Sequence, residues 1–415
     1  MYDANRPLFL PAEWLRMIRL YTNQTYNASH YMICWDNGPL VMQHMIDSAG
    51  IGTNDSRLLI GWSLLRRLTH LASGSLMAKM YPLTIEDFCF ETALGVMQIA
   101  VMDVYFKKYL PESALKKAER MVKLIHDQLK IKMNQTTWIK GDFRTSVNEK
   151  AAKLGVYVGY PPYLAAPGSI DRYFAMFPQT GKTFFTSYVE AHKTATGALF
   201  KYRDAQNFTV GKANAFYDGR RNVMALLAGI IQPPLFYARG VSAVNFGGLG
   251  QIIGHEMMHA FDVRGITRDA GNTRNNLTDA ATIEQFQQKV ECLRRAYEVE
   301  AEPQVQFPRL NARYDSEGFV DWTGLWLAYY AYRALSPDER DAVIPGLPLT
   351  AEQLFFVAHC YKWCGSSRRR DPFGAYWATR SRCSLPLRQM AEFATAFNCR
   401  PGERMNPSSR CTFFT

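Results

Sequence analysis

The His-Glu-Met-Met-His run at residues 255–259 constrains this chain more than any other feature of its sequence. It lies within an apolar stretch, 249–261, whose spacing predicts a mostly buried helix. Residues four apart share one face of a helix, so the imidazoles of His255 and His259 can reach the same metal ion. Glu256 is then placed to take a proton from a water molecule that the metal activates. The run therefore predicts a zinc site.

A third protein ligand is needed, because two imidazoles leave zinc short of its usual protein ligand set. Chance produces the His-Glu-x-x-His pattern in about 1% of chains of this length, so the run alone does not establish a site. A second apolar segment, 316–335, carries Glu317 and Asp321 on one predicted helix face. Glu317 can complete the ligand set, while Asp321 or Asp262 can accept the N–H of a ligating imidazole. The alternative, a solvent-exposed acidic face near a helix start, is disfavoured by the upstream histidine pair.

Further motifs follow in a fixed order: Asn-Ala-Phe-Tyr at 214–217, Gly-Ile-Ile-Gln-Pro-Pro at 229–234, Asn-Phe-Gly-Gly-Leu-Gly at 245–250, Trp-Cys-Gly at 363–365, Ala-Phe-Asn-Cys at 396–399 and Met-Asn-Pro at 405–407. With the histidine and glutamate segments, they resemble the neprilysin and endothelin-converting-enzyme family of zinc metallopeptidases, which are gluzincins. The resemblance covers nearly the whole chain and is most specific from residue 214 onward.

The resemblance implies a mainly α (α+β) fold in two lobes. Residues 181–415 correspond to a thermolysin-like zinc catalytic lobe with a small sheet, and residues 1–180 to a partial all-α lobe. The implied activity is that of a zinc-dependent endopeptidase, with one Zn2+ per chain, which cuts short peptides before apolar residues. Oligopeptides are the implied partners.

The resemblance also implies a role for individual residues. It assigns zinc binding to His255, His259 and Glu317, general-base catalysis to Glu256, and orientation of the histidines to Asp262 and Asp321. It assigns hydrogen bonding of the substrate backbone to Asn214 and Ala215, and binding of a substrate carbonyl or terminal carboxylate to Arg382. The apolar specificity pocket is implied to be lined by Leu235, Ile252 and Trp363. A guanidinium suits the role of Arg382 because it is a planar fork of donors.

Two departures from the family pattern bear on catalysis. Counted back without gaps from Cys399, the family's Asp-x-His becomes Gly-Ala-Tyr, so Tyr376 stands where a histidine normally donates to the oxyanion. Loss of such a donor typically costs about two to three decades of rate, unless the phenolic O–H of Tyr376 substitutes. Gly318 replaces the family asparagine beside the glutamate ligand. The alternative function is therefore a catalytically weak or inactive zinc-holding protein that binds peptides.

The net charge of +11 raises a third possibility, a nucleic-acid binder. The densest basic cluster, at 368–370, lies outside any recognition module, and the other basic residues are dispersed. We therefore expect no nucleic-acid partner.

Glycosylation sequons and cysteines indicate the compartment in which the chain is found. Six Asn-x-Ser/Thr sequons occur, at Asn23, Asn27, Asn54, Asn134, Asn207 and Asn276. They favour a glycoprotein of the cell surface or extracellular space, as does a set of eight cysteines suited to disulfides. The opening residues do not form a signal peptide, and no apolar run has the length expected of a membrane span. Family members are often anchored upstream of the matching region.

The cysteine pattern adds specific expectations. The resemblance pairs Cys292 with Cys411, and it pairs Cys89, Cys364 and Cys399 with cysteines of an N-terminal region that this chain lacks. Cys360 and Cys383 are additional to the family pattern and can pair with each other. Alternatively, several of these thiols are free and buried as small hydrophobic groups.

Periodicity predicts helices at 112–133, 249–261, 279–298, 322–335, 350–363 and 389–397, and strands near 213–217 and 223–227. The stretch 155–163 interrupts the helical pattern and suggests a lobe boundary. Segment 364–388 lacks a clear period, so we expect Arg382 to lie on a loop.

Overall fold

The structure is a computed structural model, and it describes residues 53–71, 73–80, 84–159, 166–201, 212–274, 280–300, 312–364 and 376–414, with a few isolated positions before residue 28. The predicted fold class is confirmed: the described chain is mainly α-helical and contains a small sheet. Three of the six sequons, at Asn23, Asn207 and Asn276, lie outside the described residues.

The helices and strands follow one another along the chain. The described α-helices are α1 (Thr53–Leu68), α2 (Gly74–Met80), α3 (Ile85–Tyr109), α4 (Glu112–Gln135), α5 (Gly141–Ala152), α6 (Ser169–Phe174), α7 (Phe184–Lys201), α8 (Ser242–Asn245), α9 (Gln251–Met258), α10 (Ala280–Glu300), α11 (Ala312–Arg333), α12 (Pro337–Arg340), α13 (Ala351–Tyr361), α14 (Thr379–Arg388) and α15 (Ala391–Ala396). The strands are β1 (Gly155–Gly159), β2 (Ala215–Asp218) and β3 (Val223–Leu227).

The chain forms two compact units, one from Met1–Met102 and Ala166–Thr209, the other from Asp103–Ala165 and Val210–Thr415. The residues predicted to form the zinc site all belong to the second unit. The units interleave along the sequence, so their limits differ from the boundary expected near residue 180. The assignment of lobes to 1–180 and 181–415 stays a prediction.

Helix α3 corrects the expectation that no apolar run is long enough to span a membrane. It is the one described helix whose length and apolar composition suffice for a membrane crossing. This is weak support for a span, because the core helix of a soluble protein can meet the same two criteria.

The sheet has the order β1-β3-β2, with β1 parallel and β2 antiparallel to the central strand β3. All five residues of β3 are buried, as expected of a strand covered on both faces. Both predicted strands are present. Residues 155–159, in the stretch that interrupts the helical pattern, form β1 of this sheet, because Val156, Tyr157 and Val158 have the β-propensity that a partly buried strand requires. The lobe boundary expected at 155–163 stays a prediction.

The amphipathic helix predicted at 112–133 is confirmed as α4, and its apolar stripe is buried: Ala114, Ala118, Met121, Val122, Ile125, Leu129 and Met133. Three other expectations are corrected. The segment 249–261 is divided into a π-helical turn at Phe246–Gly250, helix α9, and a 3-10 turn at His259–Phe261. Helix α11 begins ten residues before its predicted start at 322, and 379–388 is helical.

Both disulfides named from the sequence are present in the second unit. Cys292 on α10 is bonded to Cys411, and Cys360 on α13 is bonded to Cys383 on α14. The second bond joins the helix that precedes Trp363 to the helix that carries Arg382. Cys89, Cys364 and Cys399 form no disulfide within the described part of the chain.

Candidate metal centre

Helices α9 and α11 form the foundation of the site, and they pack against each other more extensively than any other described pair of elements. Two glycines allow this approach. A Cβ built on Gly254 would lie 2.3 Å from the carbonyl oxygen of Gly324, and one on Gly324 would lie 2.3 Å from the amide nitrogen of His255. Real Cβ atoms do not come this close, so only glycine fits at either position. The backbones therefore touch at the level of His255.

The glycines before α9 permit a second close approach. A Cβ on Gly247 would lie 2.1 Å from the Phe355 carbonyl oxygen, and one on Gly248 would lie 2.5 Å from that of Leu235. Lys362 donates hydrogen bonds to the carbonyls of Gly247 (3.1 Å) and Gly248 (3.2 Å). These contacts hold the π-helical turn, which sets the direction in which α9 leaves it.

His255, His259 and Glu317 converge on one point. Their ligand atoms all lie within 4.8 Å of one another. Glu317 Oε2 is 3.3 Å from His255 Nε2 and 3.8 Å from His259 Nε2. The two imidazole rings are nearly perpendicular, with centroids 4.9 Å apart. Ligands arranged tetrahedrally around zinc are about 3.4 Å apart, so these separations suit that ion.

The protonation of the histidines strengthens this fit. Each imidazole donates from Nδ1 to a carboxylate, His255 to Asp321 Oδ1 and His259 to Asp262 Oδ2, both at 2.9 Å. When the rings are neutral, this donation directs the lone pair of each Nε2 at the point where Glu317 Oε2 also lies. That carboxylate oxygen is buried and accepts no hydrogen bond from any described group. Three groups that can each offer a lone pair to one largely enclosed point suit a metal cation there.

Asp262 is fixed by four donors. Its Oδ1 accepts the backbone N–H of Arg264 (2.9 Å) and of Gly265 (2.7 Å), while its Oδ2 accepts the Ser316 hydroxyl (2.5 Å) besides the His259 ring. Burial alone would raise the pKa of Asp262, but these hydrogen bonds and the charge of His259 hold it below its usual value. Asp262 is therefore an anionic acceptor that fixes the orientation of His259.

Asp321 links the metal site to Arg382. The guanidinium of Arg382 forms a fork on Asp321, with Nε 2.6 Å from Oδ2 and Nη2 2.8 Å from Oδ1. Burial would raise the pKa of Asp321, yet Arg382 and His255 outweigh it and hold the pKa well below the usual range. The guanidinium carbon also lies 4.1 Å from the centre of the Trp363 ring and 4.5 Å from that of Tyr376. Two aromatic rings and one carboxylate thus determine the position of Arg382.

The expectation that Arg382 lies on a loop is wrong, since it belongs to α14. That helix has a polar, arginine-rich sequence and contains Pro386, so it lacks the apolar period on which the sequence-based assignment relied. The first ten residues of helix α11 were not predicted, for a different reason. It is buried on nearly all sides, including its polar residues Asp315, Ser316 and Glu317, and therefore has no amphipathic pattern at its start.

Glu256 is half-buried beside the metal ligands, and its charge acts on His255, His259 and Tyr376. Tyr376 is 40% exposed, and the negative charges of Glu317 and Glu256 both act to raise the pKa of its phenol. Burial, followed by the charge of Glu317, raises the pKa of Tyr376 to about 12. The phenol is therefore protonated near neutral pH and can donate a hydrogen bond.

The remaining predicted residues flank this centre. Asn214 is exposed and directly precedes the buried Ala215, the first residue of the edge strand β2, which packs against α9. Leu235, Ile252 and Trp363 are half-buried near the π-helical turn. The carbonyl of Leu235 accepts the N–H of Leu249 at 2.9 Å, and Trp363 follows the lysine that is bonded to that turn.

Several contributors were missed at the level of sequence. Ser316 donates to Asp262, and the Gly254–Gly324 contact allows the two helices to approach. Glycines in the middle of apolar helices were the available signal for the second feature, because such positions are otherwise unfavourable. Trp377 was also missed: its ring stacks on Tyr297, with centroids 4.5 Å apart and an interplanar angle of 17°.

A His-Glu-x-x-His helix joined by a distant glutamate defines the class of zinc metallopeptidase sites. Comparison with known proteins gives the family. The profile of peptidase family M13 matches residues 214–413, and a second profile, of the N-terminal part of the same family, matches residues 67–161. The chain belongs to peptidase family M13. His255, His259 and Glu317 are positioned as its zinc site.

Two curated relatives illustrate the similarity. Neprilysin-3 of Drosophila melanogaster is 30% identical over 342 residues, which is 78% of this chain and 43% of the relative. Endothelin-converting enzyme 1 of Mus musculus is 27% identical over 340 residues, 78% of this chain and 44% of the relative. The chain thus spans less than half the length of either relative.

A solved structure supports the same fold. The zinc metalloprotease Zmp1 of Mycobacterium tuberculosis, in complex with an inhibitor, matches with a TM-score of 0.67 at 21% sequence identity. The match covers 91% of this chain and 60% of that protein.

Proposed function

We propose that this chain is a zinc-dependent endopeptidase that hydrolyses short peptides. The observation that carries the proposal is the convergence of His255 Nε2, His259 Nε2 and the buried Glu317 Oε2 beside Glu256. When bound there, zinc would polarise the scissile carbonyl and lower the pKa of water. Membership of family M13 supports the same class of reaction.

The proposed steps use residues of this chain. Glu256 accepts a proton from the attacking water and delivers it to the leaving amine. Asp321 and Asp262 hold the Nδ1–H of His255 and His259, so that each ring keeps its orientation throughout. The hydroxyl of Tyr376 donates to the oxyanion in place of the family histidine. Its raised pKa keeps the phenol protonated over the working range of the enzyme.

Substrate is proposed to lie along the edge strand β2. Asn214 and Ala215 are at the start of this strand, where an extended peptide can add its own backbone hydrogen bonds. Arg382 binds a substrate carbonyl or a terminal carboxylate. Leu235, Ile252 and Trp363 form the apolar pocket, so cleavage is proposed to occur before apolar residues.

The test compares the wild type with Glu256→Gln. The amide retains the size of the side chain but cannot accept the proton, so we expect kcat on a fluorogenic peptide to fall by about 10²–10⁴-fold. Zinc content, measured by atomic absorption, should stay at one ion per chain, and His255→Ala should lose it. Glu284→Gln, on the exposed face of α10, is the matched control and should leave kcat unchanged. Hydrolysis that persists in Glu256→Gln would exclude the proposed mechanism.

A second candidate function is a zinc-holding protein that binds peptides without cutting them. Tyr376 and Gly318, which replace the family histidine and asparagine, favour this alternative. It predicts that the zinc-loaded chain binds peptides with apolar residues but leaves them intact after long incubation. Turnover that disappears in Glu256→Gln would exclude it.

We also propose that the chain works outside the cell or at its surface, as a glycoprotein. The two disulfides and the six sequons support this location. If the chain is produced in a secreting eukaryotic cell, treatment with an N-glycosidase should lower its apparent mass. An unchanged mass would argue against glycosylation.

A further inference from the structure

Gly318 follows the zinc ligand Glu317 in helix α11, and it is fully enclosed. A Cβ built there would lie 2.9 Å from the indole nitrogen of Trp377 and 3.0 Å from Cε2 of Tyr297. Any side chain at this position would therefore collide with Trp377 or displace it. The space that an asparagine side chain would need beside the metal ligand is occupied by the Trp377 ring.

Trp377 is held firmly in this position. Its ring is stacked on Tyr297, which belongs to α10 and is only 1% exposed. Tyr297 is on α10 and Trp377 directly follows Tyr376, so the stack joins α10 to the segment that carries Tyr376. Both rings also lie against Gly318, beside Glu317. An aromatic stack of this kind stabilises its two rings beyond the area they bury, and it thereby restricts the neighbouring backbone.

Tyr376 is held from its other side by Arg382. The guanidinium carbon lies 4.5 Å from the centre of the Tyr376 ring, and Arg382 is itself forked on Asp321. The Tyr376 ring and the adjacent Trp377 ring thus have different anchors, one through Arg382 to the histidine side of the centre and one through Gly318 to the glutamate side. The two departures from the family pattern, Gly318 and Tyr376, belong to one arrangement.

From this arrangement we infer that Trp377 is a positioning residue, which packs into the space left by Gly318 and holds the Tyr376 hydroxyl at the metal centre. This inference rests on the proposed function and extends it, since it explains how a tyrosine can serve where the family uses a histidine. The glycine that replaces the asparagine is then a requirement for the substitute donor.

The first measurement needs no activity. The near-ultraviolet circular dichroism of the zinc-free chain should contain a contribution from the Tyr297–Trp377 stack. Gly318→Ala should lose the same contribution as Trp377→Ala, whereas Trp377→Phe should keep Tyr376 in place through a smaller stack. Trp326→Ala is the matched control, because Trp326 lies on the same helix α11 and stacks on Phe414 instead, with centroids 6.1 Å apart. A Gly318→Ala spectrum equal to that of the wild type would overturn the packing argument.

The second measurement uses the zinc-loaded chain and a phosphinic peptide, whose tetrahedral centre resembles the transition state. Tyr376→Phe should lower kcat and weaken phosphinic-peptide binding by about 10²-fold each, with little change in KM. Trp377→Ala should lower both by at least about 10-fold, and the double variant should be no worse than Tyr376→Phe alone. Gly318→Ala should be harmful in the wild type but neutral in the Trp377→Ala background. Trp377→Phe should restore most of the loss.

The outcomes separate the two proposals. If Trp377→Ala keeps wild-type kcat and wild-type affinity for the phosphinic peptide, the positioning role is overturned while the endopeptidase stands. If the zinc-loaded wild type neither cuts peptides nor binds the phosphinic peptide, the proposed function is overturned, and the role of Trp377 in it is overturned as well. Losses in Trp377→Ala and Tyr376→Phe that simply multiply would show that Trp377 acts independently of Tyr376 and would also overturn the inference.

Discussion

At the scale of single residues, one buried carboxylate connects the metal site to Arg382. Asp321 is 1% exposed and accepts hydrogen bonds from the His255 ring and from two nitrogens of Arg382. Gln251 adds a longer contact of 3.4 Å to the same carboxylate. These donors surround the buried carboxylate of Asp321 and compensate its negative charge.

We expect Asp321→Asn to weaken zinc binding by about 10–100-fold, because the amide has only one acceptor oxygen for the His255 ring and the Arg382 fork. The free energy of unfolding should fall by about 3–5 kcal/mol, since Arg382 is left as a buried charge without its partner. Competition with a chromogenic chelator measures the first effect and urea unfolding the second.

The matched control is Asp341→Asn, because Asp341 also forms a fork with an arginine, Arg340, but does so on the surface. Its loss should leave both quantities unchanged, as expected of a solvent-screened pair. Wild-type zinc affinity in Asp321→Asn would show that Asp321 does not orient His255.

The metal ligands could be identified from the sequence because helical spacing fixes which side chains share a face. His255 and His259 are one turn apart, and Glu317 and Asp321 repeat this spacing on a second helix. Trp377 could not be found in this way. Its partners, Tyr297 and Gly318, are distant in sequence, and no local pattern encodes a stack between separate helices.

At the scale of elements, the distance between α9 and α11 sets the geometry of the metal site. The two imidazoles lie on α9 or just after it, while Glu317 and Asp321 lie on α11. Gly254 and Gly324 bring the two backbones into contact between these groups. The imidazoles and Glu317 are ligands of the same ion. A change in the contact between the helices therefore moves these ligands relative to one another.

We expect Gly324→Ala to lower zinc affinity by at least about 10-fold and to reduce the free energy of unfolding by about 1–3 kcal/mol, as overpacking does elsewhere. Chelator competition and urea unfolding measure the two effects. Gly197→Ala is the matched control, since Gly197 lies inside helix α7 and faces open space. That change should stabilise by about 0.5–1 kcal/mol, because alanine is the better helix former. An unaltered zinc affinity in Gly324→Ala would show that the helices tolerate a wider separation.

Elements with one solvent-facing side were the ones that the sequence predicted well. Helix α4 has a buried apolar stripe and an exposed lysine-rich face, and its predicted start at residue 112 matches the structure. The π-helical turn before α9 was not predicted, because it depends on backbone contacts of Gly247 and Gly248 with other segments. Periodicity reports which side of an element meets water, so elements enclosed by protein leave little signal.

At the scale of the whole molecule, stability depends on how buried charges are accommodated. Lys150 on α5 is 4% exposed, and it donates to the carbonyls of Gly265 at 2.8 Å and Arg268 at 2.9 Å. Burial lowers the pKa of Lys150 to about 8; the charges of Asp262 and Asp269 oppose this shift, and that of Arg268 adds to it. The ammonium group thus joins α5 to the segment that follows the zinc-binding helix, at a cost in solvation.

This shift predicts the pH dependence of global stability. The pKa of Lys150 is lower in the folded chain than in the unfolded chain, where it is near 10.5, so between these values the unfolded state binds more protons. Stability contributed by this group should therefore be constant below pH 8 and rise between pH 8 and 10.5, by a total of about 3 kcal/mol. Urea unfolding of the wild type and of Lys150→Met, at pH values from 7 to about 10.5, isolates the effect. The difference between the two should grow in favour of the wild type across this window, because methionine does not titrate.

Lys153→Met, at the exposed C-terminal end of the same helix, is the control and should give a flat difference below pH 10.5, because the pKa of Lys153 is raised by Glu149. Parallel curves for the wild type and Lys150→Met would mean that the buried amine is as well solvated by its carbonyl partners as it is by water.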